Sequence, residues 1–372
     1  MFKFRNTSVD MIRPLITISL LLMFSVTSWA QGTVYVRATG NDANNGQSET
    51  AAKKTLQSAV AAAQAGDIID VGPGSFAGAT LDKGLVIQGS NANYDISRWD
   101  APTVITSTVT LGQAAAGASV TLVGLQFGQI TPLAGTAENA NITVYNCKML
   151  GSKPIVTTGT KWAELFLTAS VLDGKVEGAK PGAPTATTAV VTGDVGVAVI
   201  RENVLRNYSK SAIDVAGTGQ IVRVSYNEFT SCNSSADAAH AAVRINASGI
   251  QEEVLVENSL FTSCATSVSV TGTISGKTVA VQRNSFRLTP ASVVAIKSSA
   301  PTALDATCNA FNVPTKEKDQ PLSQEIIKAS VIKLTTGNVT VSPTIDDGTD
   351  ADGDAIGYEP VKGKACATQQ GN

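Results

Sequence analysis

The chain repeats itself, and that repetition limits its fold more than any other feature. The pattern apolar-x-apolar-x-x-(Asn)-x-(Phe or Leu) occurs eight times, ending at Phe127, Met149, Leu172, Leu205, Phe229, Phe261, Phe286 and Phe311. Successive spacings are 22, 23, 33, 24, 32, 25 and 25 residues. The two long intervals hold Lys175 to Thr188, rich in Gly, Pro and Thr, and Asn233 to Ala242, both of which read as loop insertions. The Asn position is filled by Asn203, Asn227, Asn284 and Asn309, with Leu125, Cys147, Ser170 and Ser259 in the other copies. A unit of this size cannot bury its own apolar face and must stack on its neighbours. A leucine-rich repeat has a similar period, but its leucine-and-asparagine consensus is absent.

Within each unit the apolar residues alternate as strands do: Ala198 with Ile200, Val222 with Val224, Val254 with Val256, Val279 with Val281. A second short strand follows the Phe position, as at Ile213 and Val215 or Val243 and Ile245. Each unit is too short for a strand plus a crossover helix. Parallel pairing must therefore come from winding the chain into a coil of short strands, each coil bonded to the next at about 4.8 Å. The fold class is all-β, a parallel β-helix. Asn is expected at the tight bends, because it tolerates left-handed backbone and can bond the Asn above and below. Phe229, Phe261, Phe286 and Phe311 are expected to form one buried column. About ten coils make a single body on the order of 50 Å long.

Charge and composition agree with this class. Charged residues make up 16% and aromatics 5%, while 43% of the chain is apolar, enough for a core. The net charge of −2 gives no invitation to a polyanion, so no nucleic-acid partner is expected. Lys3, Arg5 and Arg13 precede an apolar run from Leu15 to Val26, and Ser28-Trp29-Ala30 supplies small residues for signal-peptidase cleavage. Residues 1–30 are expected to be a cleaved signal peptide, which places the mature protein outside the cytoplasm, secreted or on the periplasmic or outer surface. Later apolar runs are too short to span a membrane. Residues 31–372 are expected to form one β-helix domain, with a cap over 31–75, coils over 76–311 and a closing segment over 312–372, and to act as a monomer.

The ends carry a family resemblance. Val34-Tyr-Val-Arg-Ala-Thr-Gly40-Asn-Asp-Ala-Asn-Asn-Gly46, Lys54-Thr-Leu-Gln-Ser-Ala-Val60, Ala65-Gly-Asp-Ile-Ile69 and Gly72-Pro-Gly-Ser-Phe76 follow one another. Together they resemble the opening of bacterial right-handed parallel β-helix proteins of the pectin-lyase-like superfamily. Physically they read as an edge strand, a turn-rich loop, and an amphipathic helix with Leu56, Val60 and Ala63 on one face, terminated at Gly66. That N-terminal helix would plug the open end of the coil. Ser342-Pro-Thr-Ile-Asp-Asp-Gly348 and Asp352-Gly-Asp-Ala-Ile-Gly-Tyr-Glu359 resemble the closing segment of such exported proteins. The resemblance implies a right-handed coil. It does not imply one activity, since the superfamily includes lyases, hydrolases, esterases and proteins without known catalysis.

Superfamily chemistries can be compared with the residues present. The Gln-Asp-Thr-Leu and Asp-Phe-Ile-Phe-Gly motifs of pectin methylesterases have no match. The paired Asp and Gly-His-Gly of galacturonan hydrolases have none either, because the one Asp-Asp-Gly, at Asp346, lies in the tail. Calcium-assisted lyases need clustered carboxylates with a Lys or Arg base. The outward column between the paired strand valines instead reads Thr121, Thr143, Phe166, Val199, Arg223, Leu255, Ala280 and Asp305. Just beyond it fall Arg201 and Glu202, Ser225 and Tyr226, Glu257 and Asn258, and Gln282 and Arg283. Arg201, Tyr226, Glu257 and Arg283 are candidate glycan-binding residues, with Tyr226 on a sugar face and the charged groups on hydroxyls; an ordinary solvated face with cross-coil ion pairs is the other reading. Asp214 and Arg244 are expected to pair across adjacent coils.

His240, the sole histidine, sits in an insertion and reads as solvated rather than catalytic. No catalytic residue is assigned and no cofactor is expected. Asp350, Asp352 and Asp354 alternate as in a calcium loop but lack the EF-hand's bidentate Glu, and form a weak calcium candidate. Of the five cysteines, Cys308 and Cys366 are expected to join the tail to the last coil. Cys232 and Cys264 occupy the same position in adjacent coils and either bridge or remain a stacked thiol pair. The functional expectation is an exported, non-catalytic glycan-binding or surface or matrix protein. The alternative is a divergent polysaccharide lyase or glycoside hydrolase.

Overall fold

The computed structural model describes residues 31–93, 101–112, 117–132, 140–151, 153–156, 161–175, 186–236, 238–288, 294–301 and 303–313, with short strands at 320–321, 332–334, 339–340, 348–349 and 359–360. Residues 1–30, where a signal peptide is expected, and Asp350, Asp352, Asp354 and Cys366 lie outside the described residues. Strands of two to eight residues wind into three long sheets of twelve, eleven and ten strands. Every pairing along them is parallel except Ala310–Val313 with Gln320–Pro321 at the end of the second sheet. Same-sheet parallel connections are right-handed in nearly all proteins, and the arrangement is that of a right-handed parallel β-helix.

Each coil contributes three strands rather than the two read from the sequence. The Phe position is itself the centre of a three-residue strand in the second sheet, as in Glu228–Thr230 and Leu260–Thr262. Three residues show one inward side chain, too few for a visible alternation. The Phe-type positions fall in one register column, Phe127 with Met149, Leu172 with Leu205, Leu205 with Phe229, Phe229 with Phe261, Phe261 with Phe286 and Phe286 with Phe311. Four of the rings stack with centroids 4.7, 5.1 and 5.2 Å apart and planes within 17°. All four are buried. The coil repeat thus sets the ring spacing, and the rings fill the space along the axis.

The helix Leu56–Ala62 lies at the N-terminal end, burying Leu56, Ala59 and Val60. Thr55 caps it by accepting from Ser58 N, and Asp42 accepts from the backbone N–H groups of Lys54 and Thr55 at 2.8 and 2.9 Å. Those bonds, that from Thr55 N foremost, hold the Asp42 carboxyl below its ordinary range. At the other end Lys83 Nζ donates to the carbonyls of Val60 and Ala63, both at 3.1 Å. The helix stops at Ala63, where the backbone turns extended, three residues before the expected Gly66.

The corner between the first and second sheets corrects the expectation for Asn. The left-handed residue is the one before the Asn station: Gly124, Asn146, Ala169, Glu202, Tyr226, Asn258, Arg283 and Cys308 all have φ between 48° and 65°. The Asn station itself is buried and points inward. Its side chains form a ladder from coil to coil. Cys147 N donates to Ser170 Oγ, Ser170 N to Asn203 Oδ1, Asn203 N to Asn227 Oδ1, Asn227 N to Ser259 Oγ, Ser259 N to Asn284 Oδ1 and Asn284 N to Asn309 Oδ1, all within 2.9–3.1 Å. Each Asn amide also donates to a carbonyl of the coil before, as Asn227 Nδ2 does to Ile200 O at 2.8 Å. Asn is chosen here for having an acceptor and two donors on one short side chain, not for its backbone.

Cys147, Cys232 and Cys264 are buried free thiols, so no bridge joins Cys232 to Cys264. Stacked in parallel, each turns its Sγ to backbone carbonyls: Cys232 to Leu205 and Thr230, Cys264 to Phe229 and Thr262. Cys308 is not among these free thiols, and its expected partner lies outside the described residues. Burial pushes the Cys147 thiol up to about 12 from 9.0. The unfolded chain therefore loses this proton first, and the stability tied to it is full below pH 9 and falls as pH rises towards 12. Iodoacetamide at pH 8 is expected to leave all three thiols unlabelled until denaturant is added; peptide mapping that finds native Cys147 alkylated within minutes would contradict the packing.

Candidate functional site

Side chains alternate in and out of the first sheet, so register decides which outward groups align. The expected outward column is in register, from Thr121 with Thr143 and Phe166 through Val199, Arg223 and Leu255 to Ala280 and Asp305. Arg223 pairs there with Glu253 of the next coil. Two residues further along each strand lies a second outward column, at the rim next to the left-handed corner. It runs through ten coils: Tyr35, Asp70, Gln88, Val123, Tyr145, Thr168, Arg201, Ser225, Glu257 and Gln282. At one coil per 4.7–4.9 Å it is about 43 Å long.

All four candidate residues stand on this rim, Arg201 and Glu257 in the column itself and Tyr226 and Arg283 at the adjoining left-handed station. The structure brings them together in two pairs. The Arg201 guanidinium lies over the Tyr226 ring, 4.8 Å from its centroid, and its Nη2 is 2.7 Å from Glu202 Oε1. Arg283 pairs with Glu257 of the coil before and reaches Asn258 Oδ1 at 3.4 Å. Arg201 thus covers one side of the ring on which a sugar face was expected to rest. Such half-exposed ion pairs add little stability, but they fix long side chains in one geometry.

A fifth residue of this rim was not singled out in the sequence. Tyr145, two coils before Arg201 and hence about 10 Å away, is 45% exposed and is the exposed large hydrophobic among the described residues. Its signal was present, since Tyr145 stands two residues before Cys147 as Arg201 stands two before Asn203. The patch read from the sequence covers only the four later copies, from Arg201 to Arg283.

The remaining expectations fall away from the rim. Asp214 and Arg244 pair at 2.9 Å across adjacent strands of the third sheet, as expected. His240 is half-buried with Nδ1 3.1 Å from the Oγ of buried Ser211, and so is not simply solvated. Among the described residues no three His, Cys, Asp or Glu side chains are placed to hold a metal. Among them, too, no helix is long and apolar enough to cross a membrane.

No family model and no curated protein matches the chain. Among solved structures it is similar to the native GH136 lacto-N-biosidase from Eubacterium ramulus, at 14% identity and a TM-score of 0.41, over 89% of this chain and 70% of that one. The selenomethionine derivative of that enzyme is similar at 13% identity and a TM-score of 0.38, over 90% of this chain and 71% of that one.

Proposed function

We propose that this chain is an exported β-helix protein of the pectin-lyase-like kind that binds polysaccharide along the rim of its first sheet without cleaving it. The observation that carries the reading is the ten-coil column from Tyr35 to Gln282, which includes the exposed ring of Tyr145 and leads to the Arg201, Tyr226, Glu257 and Arg283 group. A sugar polymer offers an apolar ring face and a fringe of hydroxyls that both donate and accept. Tyr145 meets the first requirement, and the guanidiniums, carboxylates and amides of the rim meet the second. Each contact is weak, but a rigid row of stations meets a repeating ligand many times at once. The pairing of Arg283 with Glu257 and of Arg201 with Tyr226 holds these groups in place before a ligand arrives, which lowers the ordering cost of binding. The opening and closing motifs of the chain support the family, and the leader-like N-terminus supports export.

Tyr145→Ala is expected to weaken retention on a polysaccharide about fivefold, or about 1 kcal/mol, through lost ring contact. Tyr226→Ala is expected to weaken it similarly by releasing Arg201. The melting temperature should stay within a few degrees in both, since Tyr145 is exposed and an alanine, Ala169, already occupies the left-handed station of Tyr226. Affinity electrophoresis through a panel of neutral and uronate polysaccharides measures this. Release of reducing ends or unsaturated uronates by the pure protein, abolished by Glu257→Gln, would replace this reading with the enzymatic one.

A further inference from the structure

A cleft of about 350 Å³ opens at the N-terminal head of the rim, lined by Arg37, Glu49, Asp70, Gln88, Ser90 and Asn93 over a floor that includes Pro73 and Val71. Arg37 is held in it by five contacts. Its Nη1 donates to the carbonyls of Val36 and Asp70 at 2.9 and 3.0 Å and approaches Asp70 Oδ1 at 3.4 Å. Its Nη2 meets Glu49 Oε1 at 2.8 Å, and its guanidinium carbon lies 5.3 Å from the centroid of the Tyr35 ring. The corner loop that follows Gln88 forms one wall.

We propose that this cleft binds a single neutral sugar residue, and so receives one end of the polymer that lies along the rim. The size fits one small polar ligand. The charge argues against a phosphate or a cation: one guanidinium is balanced by two carboxylates, which disfavours an anion, while that same guanidinium opposes a metal. What remains is a set of fixed donors and acceptors suited to hydroxyls that do both. The position supplies the polarity of binding, because Asp70 and Gln88 are the second and third stations of the same register column that continues to Tyr145 and Arg201. The inference rests on the rim reading and deepens it, from a track that holds any stretch of chain to one that also recognises a terminus.

The probes are glucose, galactose and N-acetylglucosamine at millimolar concentration, followed by saturation-transfer NMR and calorimetry on the full mature chain. At least one is expected to bind, and Gln88→Ala and Asn93→Ala, both at outward positions, are each expected to weaken it tenfold. Tyr145→Ala should leave the monosaccharide untouched while reducing polymer retention. Binding of none of the three sugars, binding indifferent to both cleft variants, or binding lost equally in Tyr145→Ala would each overturn the cleft assignment. Polymer retention unchanged in Tyr145→Ala, with the monosaccharide still dependent on Gln88, would count against the rim track and against the link between the two, leaving only an isolated sugar site.

Discussion

Phe261→Ala is expected to lower the unfolding free energy by about 3 to 5 kcal/mol. The ring is buried between Phe229 at 4.7 Å and Phe286 at 5.1 Å, so its removal strips contact from two coils at once. Collapse around the gap is opposed by the strand register, which pins Leu260, Phe261 and Thr262 to partners in both directions. Phe261→Leu should cost much less, about 1.5 kcal/mol or under, because Leu172 and Leu205 fill the same column elsewhere. Urea unfolding of the two variants against wild type measures the difference. A loss below 1 kcal/mol in Phe261→Ala would mean that the rings do not support one another.

The second large effect is expected at the ladder. Asn227 accepts from Asn203 N at 3.0 Å and donates to Ile200 O and Ser225 O at 2.8 and 2.9 Å, all away from solvent. In Asn227→Ala these groups lose their partners without gaining water. At about 1 to 3 kcal/mol for each buried group left unpaired, a total near 3 kcal/mol is expected. Asn227→Ser provides the control. Ser170 and Ser259 hold the same station, each accepting from a neighbouring coil and donating to the carbonyl two residues before. The serine variant should therefore recover most of the loss, whereas a purely volumetric site would treat serine and alanine alike. The same urea series, with hydrogen exchange at Asn203 N–H, separates these outcomes.

The coiled architecture was legible because stacking forces like residues into like positions, and a column such as Phe229, Phe261, Phe286 and Phe311 then appears in the sequence as a period. The strand at the Phe position was not legible, since the single inward side chain of a segment such as Glu228–Thr230 is too little to show an alternation, whereas Ile213 and Val215 on the strand that follows do show one. The role of Asn was half legible. Its bonding along the column follows from its chemistry, but which residue takes the left-handed turn depends on where the corner falls, and Glu202, Tyr226 and Arg283 carry no sequence mark of that strain. At the rim, the sequence pointed to the four copies from Arg201 to Arg283 and passed over Tyr145, whose significance appears only when ten strands are brought into register. The cleft around Arg37 was not legible at all. It gathers Arg37 after the edge strand, Glu49 of the turn-rich loop, Asp70 to Pro73, and Gln88 with the corner loop that follows it, four segments with no shared period.

The side-chain ladder begins at Cys147 and continues to Asn309, while Leu125 in the coil before has no polar atom to offer. Seen as a mechanical object, the solenoid is a set of springs joined end to end, in which tension along the axis passes through every coil interface in turn. Interfaces bearing the ladder carry extra axial bonds beyond those of the three sheets and yield less under a given load. The rod is therefore wired unevenly: one repeated bond ties the later coils, while the head coils are tied by unlike bonds such as that from Thr103 Oγ1 to Val71 O at 2.8 Å.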